Sequence, residues 1–209
     1  MPIKHCPDPA TLMTCAAGSQ PEALCAVVIS HLSLCKTCMD EVVRMEMIGT
    51  ALLAQIEPAT TTVSAPARVT RAPFQQDTLL YDGTPSEIPS PLRAAVGHEI
   101  DVLQWHSVSD GVSSCRVPMS PEAQGELILV KLEPGVELPE RQYEGEELLL
   151  VLRGTCVRDG ASLERGDYAE FYDGTAHGIS ASETAGCIVL IAYERLPHQI
   201  SRPGQRQVA

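Results

Sequence analysis

The sequence predicts an α+β protein of two domains, a small all-α domain followed by an all-β barrel. Three observations carry that expectation. Helix caps and a helical apolar period fill residues 1–57, and five of the eight cysteines fall within the first 38 positions. A stretch rich in Pro, Thr and Ala, lacking any apolar period, follows at 58–95 and reads as a linker with room for a short helix near its end. From 96 to 209 short β-rich runs alternate with glycine turns, the pattern of a sandwich or barrel.

The first segment reads as three helices. Asp8-Pro9 places an N-cap before proline at the first helical position, and Gly18 ends that helix. Ser19-Gln-Pro-Glu22 has the capping-box form and opens a second helix, with Leu24, Val27, Val28 and His31 at helical spacing. A third helix starts near Cys35 and puts Cys38, Val42, Met45, Gly49, Leu52 and Ile56 on one stripe, until Pro58 stops it. Three such helices have little core, so a structural metal is a plausible staple.

His31-Leu-Ser-Leu-Cys35-Lys-Thr-Cys38 supplies the means. A C-x2-C at a helix start can grip one ion, and His31 reaches it from the end of the preceding helix. Thiolate and imidazole suit a closed tetrahedral zinc site. The fourth ligand comes from Cys6 or His5, both chemically able. Cys15 and Cys25 fall inside helices and read as buried thiols.

Among the 209 residues, 27 Asp and Glu outnumber 15 Lys and Arg, for a formal net charge of -12. Phosphate contact needs clustered cations, so direct nucleic-acid binding is disfavoured, whereas a basic protein partner suits this charge. The start, Met-Pro-Ile-Lys-His-Cys, has no apolar signal core, and no apolar run approaches membrane-spanning length. The expectation is a cytoplasmic chain with reduced cysteines and no membrane partner.

In the second segment the expected strands are Val102–Ser107, Ser113–Val117, 127–132, 148–152, 169–172 and 188–193, with a hairpin signal at Asp110-Gly111. The pattern Gly135-x5-Arg141-x-Tyr143-x3-Glu147-x6-Gly154, then Gly166-x5-Tyr172-x-Gly174-x2-His177, resembles the two cupin motifs at full spacing. In a metal-bearing cupin, positions 141 and 143 would be histidines. With Arg141 and Tyr143 there, only Glu147 and His177 keep ligand chemistry. That argues against a second metal and for an Arg141–Glu147 pair in its place.

Both halves together, carried by Ile3-Lys-His5-Cys6, Ala16-Ala-Gly18, Val28-Ile-Ser-His31-Leu-Ser-Leu-Cys35, Cys38 and the cupin spacing, resemble the ChrR-type zinc-binding anti-sigma factors. The resemblance implies a jelly-roll second domain and zinc ligands at Cys6, His31, Cys35 and Cys38, with His5 in reserve. It also implies a helical domain that wraps a group IV (extracytoplasmic-function) sigma factor and keeps it from RNA polymerase. The cupin-like domain would govern release after singlet oxygen or related oxidants, with no catalysis required. Leu12, Leu24 and Val27 are candidates for the sigma-facing surface. Relatives have a fourth helix in the sigma clasp. Here prolines interrupt residues 64–73, so the clasp would be shortened or shifted to Phe74–Leu80.

Two rival classes stand beside this reading. A metal-dependent cupin enzyme, a dioxygenase or isomerase, is opposed by the missing histidines, since a catalytic metal needs about three protein ligands. A thiol redox switch would expel zinc by oxidising Cys35 and Cys38, or act through Cys115, Cys156 or Cys187.

Overall fold

The computed structural model describes residues 3–57, 86–142, 145–172, 176–194 and 198–199. Three helices come first: α1 (Pro9–Ala16), α2 (Glu22–Leu32) and α3 (Lys36–Leu53). Asp8 caps α1 as its spacing predicts, its carboxylate accepting from Thr11 N at 2.7 Å. The capping box expected for α2 does not form. Pro21 is the N-cap without a side-chain bond, and Glu22 instead accepts from the backbone N of Ser120, 3.0 Å away in the second domain. A tertiary partner has taken the carboxylate that a local cap would use.

After the 58–85 stretch, Ser90–Leu92 forms a 3₁₀ turn and Arg93–Val96 the short α4. These residues of the expected linker are packed, with Ile88 and Leu92 fully buried. The expected clasp at Phe74–Leu80 lies outside the described residues.

Among the described residues ten antiparallel strands follow: β1 (His106–Ser109), β2 (Val112–Arg116), β3 (Glu126–Leu132), β4 (Glu137–Gln142), β5 (Glu147–Arg158), β6 (Ala161–Glu164), β7 (Tyr168–Phe171), β8 (Ala176–Ala181), β9 (Cys187–Tyr193) and β10 (His198–Gln199). Their order is β1-β2-β3-β9-β5-β8-β4-β10, with β6 and β7 also pairing with β5. The first strand begins later than expected. Ile100–Val102 is a 3₁₀ turn, pinned where Trp105 Nε1 donates to the Ile100 carbonyl at 3.2 Å.

The long β5 lets the sheet curl on itself. Its first half pairs with β7 and β9, and its second half with β6 and β8. A register shift between Val151 and Arg153 falls where the strand changes neighbours. The result is a curled, half-closed antiparallel barrel.

Alternation along the central strands divides two cores. Leu149, Val151, Val189 and Ile191 point into the barrel with Val130, Phe171 and Ile179. Leu148, Leu150, Leu152, Leu190 and Ala192 point to the other face, where α2 lies against them. A strand covered on both faces reads as an unbroken apolar run, which accounts for Cys187-Ile-Val-Leu-Ile-Ala-Tyr193.

Helix α2 is likewise buried nearly all round, from Ala23 and Leu24 through Leu32. Leu12, Leu24 and Val27, expected on a partner-facing surface, therefore belong to this shared core. Of the stripe expected along α3, Cys38 and Val42 are buried and Met45 packs partly on the core. Leu52 and Ile56 are not buried, and with Met47, Ile48 and Leu53 beside them they are between 59% and 68% exposed.

Because one core spans both domains, Leu24→Ala should cost about 2–5 kcal/mol. Helices and barrel should then melt together at lower denaturant, as followed by circular dichroism and tryptophan fluorescence. Leu52→Ser, at an exposed site, should stay within about 0.5 kcal/mol.

Candidate metal centre

Two tight connections build the cluster. Leu34 N and Cys35 N both donate to the His31 carbonyl, at 2.9 and 2.8 Å, so α2 turns directly into α3 with a bend of 118°. His31 sits on the last turn of α2, Cys35 is the N-cap of α3, and Cys38 lies in its first turn. The extended arm Ile3–Cys6 supplies the fourth member. The ligand atoms of Cys6, His31, Cys35 and Cys38 all lie within 4.8 Å of one another.

The spacing suits a tetrahedral ion. Metal–sulfur arms of about 2.3 Å give ligand–ligand edges of about 3.8 Å, and slightly less to nitrogen. Cys6 Sγ is 3.9 Å from Cys35 Sγ, and His31 Nε2 is 3.4 Å from Cys38 Sγ. The other ring nitrogen, Nδ1, lies 2.9 Å from the carbonyl of Gly166. A carbonyl only accepts, so the proton belongs on Nδ1 and the Nε2 lone pair faces the sulfurs.

The sulfurs titrate apart. The neighbouring His31 imidazole pulls the Cys35 thiol down to about 6 against the cost of burial. Burial, then Cys6 and Cys35, push Cys38 well above the ordinary thiol range, and burial also raises Cys6. Several thiolates this close repel unless a cation joins them, which is the condition a metal ion meets.

The barrel holds the arm in place. The Asp167 carboxylate is 1% exposed and accepts from the backbone N of Lys4 at 2.7 Å, His5 at 3.0 Å and Glu164 at 2.9 Å. Tyr168 N donates to the His5 carbonyl at 3.0 Å. Burial works to raise the Asp167 carboxyl, but these N–H donors outweigh it and hold it below the usual range. Gly166 has φ +89°, the left-handed backbone that favours glycine, and a Cβ there would lie 2.6 Å from the end of the Ile3 side chain, which would have to shift. The edge of Tyr168 also meets the His31 ring, 5.9 Å between centroids.

His5 stands apart from the cluster, its Nδ1 3.5 Å from Asp167 Oδ2. No local signal in the sequence marks Gly166 and Asp167 as supports. The glycine reads only as a turn and motif position, and nothing local links it to Ile3, or its neighbour Asp167 to Lys4, 163 positions earlier. A cleft of about 450 Å³, lined by Ile3, Leu34, Cys35, Lys36, Glu164 and Arg165, opens beside Cys35.

At the second expected site, Arg141 and His177 face each other in the β4–β8 register. Glu147 is buried at the start of β5, opposite Tyr193 and Phe171. Tyr143 and the side chains of Arg141 and His177 lie outside the described residues, as does the expected Arg141–Glu147 pair.

Asp167→Asn should weaken metal binding about 10–100-fold in a chelator competition, since it loosens the arm that carries Cys6. In the metal-free protein, Cys35 is the thiolate above its lowered pKa of about 6. Its alkylation by iodoacetamide should therefore be fast at pH 7–8 and fall as pH drops through about 6, while Cys38 stays slow.

Residues 93–197 match the family described as the ChrR cupin-like domain. The anti-sigma-E factor ChrR of Cereibacter sphaeroides is 28% identical over 197 residues, covering 92% of this chain and 90% of its own. The crystal structure of Rhodobacter sphaeroides SigE in complex with the anti-sigma ChrR aligns at TM-score 0.74 and 25% identity, covering 91% of this chain and 98% of that one. With one family matching half of the sequence and the same relative matching nearly all of it in sequence and in structure, the chain belongs to the ChrR cupin-like family.

Proposed function

We propose that this protein is an anti-sigma factor, a regulator rather than an enzyme. Its helical domain binds a group IV sigma factor and occludes it from RNA polymerase. The observation that carries this is the near full-length likeness to ChrR, a protein whose solved structure is a complex with SigE. Among the described residues no single helix is long and apolar enough to cross a membrane. A sigma factor as partner would put the chain in the cytoplasm.

Zinc is the metal that the donor set favours. One imidazole and three thiolates make a closed tetrahedral site, with no position left for a substrate. Cys6, His31, Cys35 and Cys38 would hold it, and the ion would bind the arm, α2 and α3 into one unit whose folding depends on it. Domain boundaries near 57 and 96 fit this division of labour. The cupin-like domain would govern release of the sigma factor under oxidative stress, singlet oxygen included, without needing a second metal at Arg141, Tyr143, Glu147 and His177.

The exposed apolar residues toward the end of α3 and just beyond it supply a surface that a protein partner would cover. The buried Leu12, Leu24 and Val27 cannot do so without opening the core.

The test is a pull-down from the native host with mass spectrometry of stoichiometric partners. One sigma factor should be retained by the wild type and lost in Cys38→Ala. Leu52→Glu should weaken capture at least 10-fold while leaving zinc content and melting unchanged. A zinc-loaded, folded protein that captures no sigma factor would overturn the proposal and favour a ligand-binding or catalytic cupin.

A further inference from the structure

Of the five cysteines outside the metal cluster, four fall in two pairs that differ in access. Cys156 and Cys187 are 0% and 2% exposed inside the barrel core, sealed by β5, β8 and β9. Cys15 and Cys25 lie in the helical domain, on the last turn of α1 and the first turn of α2. Their sulfurs are 3.5 Å apart, so forming a bond of about 2.04 Å asks for roughly 1.5 Å of approach. Cys15 is fully buried, but Cys25 is only half-buried and reachable by a small solute.

We propose that Cys15 and Cys25 form a redox-active dithiol, which a peroxide oxidises to a disulfide tying α1 to α2 independently of the metal centre. The geometry assigns the roles. Cys25 is the entry point, and Cys15 is the resolving thiol behind it. The hydrogen bond from Cys15 lowers the Cys25 thiol against the cost of burial, which favours the nucleophilic form where the oxidant arrives.

The chemistry balances with hydrogen peroxide as the only co-reactant. Cys25 sulfur, as thiolate, attacks one peroxide oxygen. The O–O bond breaks, and the other oxygen leaves with the electron pair and a proton as water. Cys25 is now a sulfenic acid. Cys15 sulfur attacks the Cys25 sulfur, the S–O bond breaks, and that oxygen departs with the Cys15 proton as a second water. Two thiols and one peroxide become one disulfide and two waters.

The consequence is specific to α1. That helix begins three residues after Cys6 and ends next to Cys15, so the cluster holds its front end and the dithiol its back end. Oxidation would secure the second anchor without disturbing the first. This separates the dithiol from a switch in which Cys35 and Cys38 oxidise and the metal leaves.

The experiment treats full-length, zinc-loaded protein with near-stoichiometric hydrogen peroxide and follows intact mass, released zinc by a metallochromic dye, and peptides after cleavage at Glu22, which separates the two cysteines. The expected result is a loss of about 2 Da, a Cys15–Cys25 cross-link and retained zinc. Cys25→Ser should show no such loss, and Cys15→Ser should accumulate a Cys25 sulfenic acid that dimedone traps. The wild-type peptide map stands without the variants should they fold poorly. Zinc release before any cross-link, a first cross-link at Cys156–Cys187, or no cross-link at all would each overturn the proposal.

Discussion

The two nitrogens of one imidazole face different parts of this molecule, and much of the architecture follows from that. His31 Nε2 faces the sulfurs of the helical domain, while Nδ1 rests on the Gly166 carbonyl between β6 and β7. The tautomer that suits the cluster is thus set by a backbone oxygen of the barrel. Asp167, the next residue, fixes the arm carrying Cys6 through the backbone N–H groups of Lys4 and His5, and is itself held by that of Glu164 in its own turn. Two of the four cluster residues are therefore oriented from the second domain, and the C-x2-C pair from the first.

Helix α2 makes this arrangement rigid. It is apolar on almost every side, because the other helices cover one flank and the strands β3, β5 and β9 the other. Burial at roughly 25 cal/mol per Å² of apolar surface makes such a two-sided helix costly to pull away. Glu22 extends the attachment to Ser120. The apolar surface of α3, by contrast, lies beyond the part of that helix that packs, leaving the last turn and the residues after it uncovered. Rigid cluster and open apolar end are neighbours on one helix.

Much of the fold was legible because it is written locally. Asp8-Pro9, the Pro and Gly punctuation, and the apolar runs of β3, β5 and β9 announce their elements by caps and by period. Three members of the cluster, His31, Cys35 and Cys38, were legible from residue type and spacing, whereas the residues alone left Cys6 and His5 open and the family resemblance favoured Cys6. What the sequence did not disclose is tertiary. Glu22 looks like half of a capping box until Ser120 is seen to occupy it, and Leu24 and Val27 look available until the sheet is placed over them. The Ile100–Val102 turn carries β-forming residues that its Trp105 hydrogen bond overrides. Gly166 and Asp167 carry no local mark of their link to the arm.

The separation along the chain between His31 and its carbonyl partner, 135 residues, has a consequence for biosynthesis. A ribosome releases the arm, α2 and α3 well before it has made the β6–β7 turn. Chains emerge at about 5–20 residues per second, so the cysteines are outside for several seconds without the groups that orient His31 and Cys6. The nascent helical segment is then a thiol-rich peptide with only local means of holding a metal. The finished site closes when the C-terminal half folds back over it. A truncated translation product would carry all four cluster residues and still lack the mature centre.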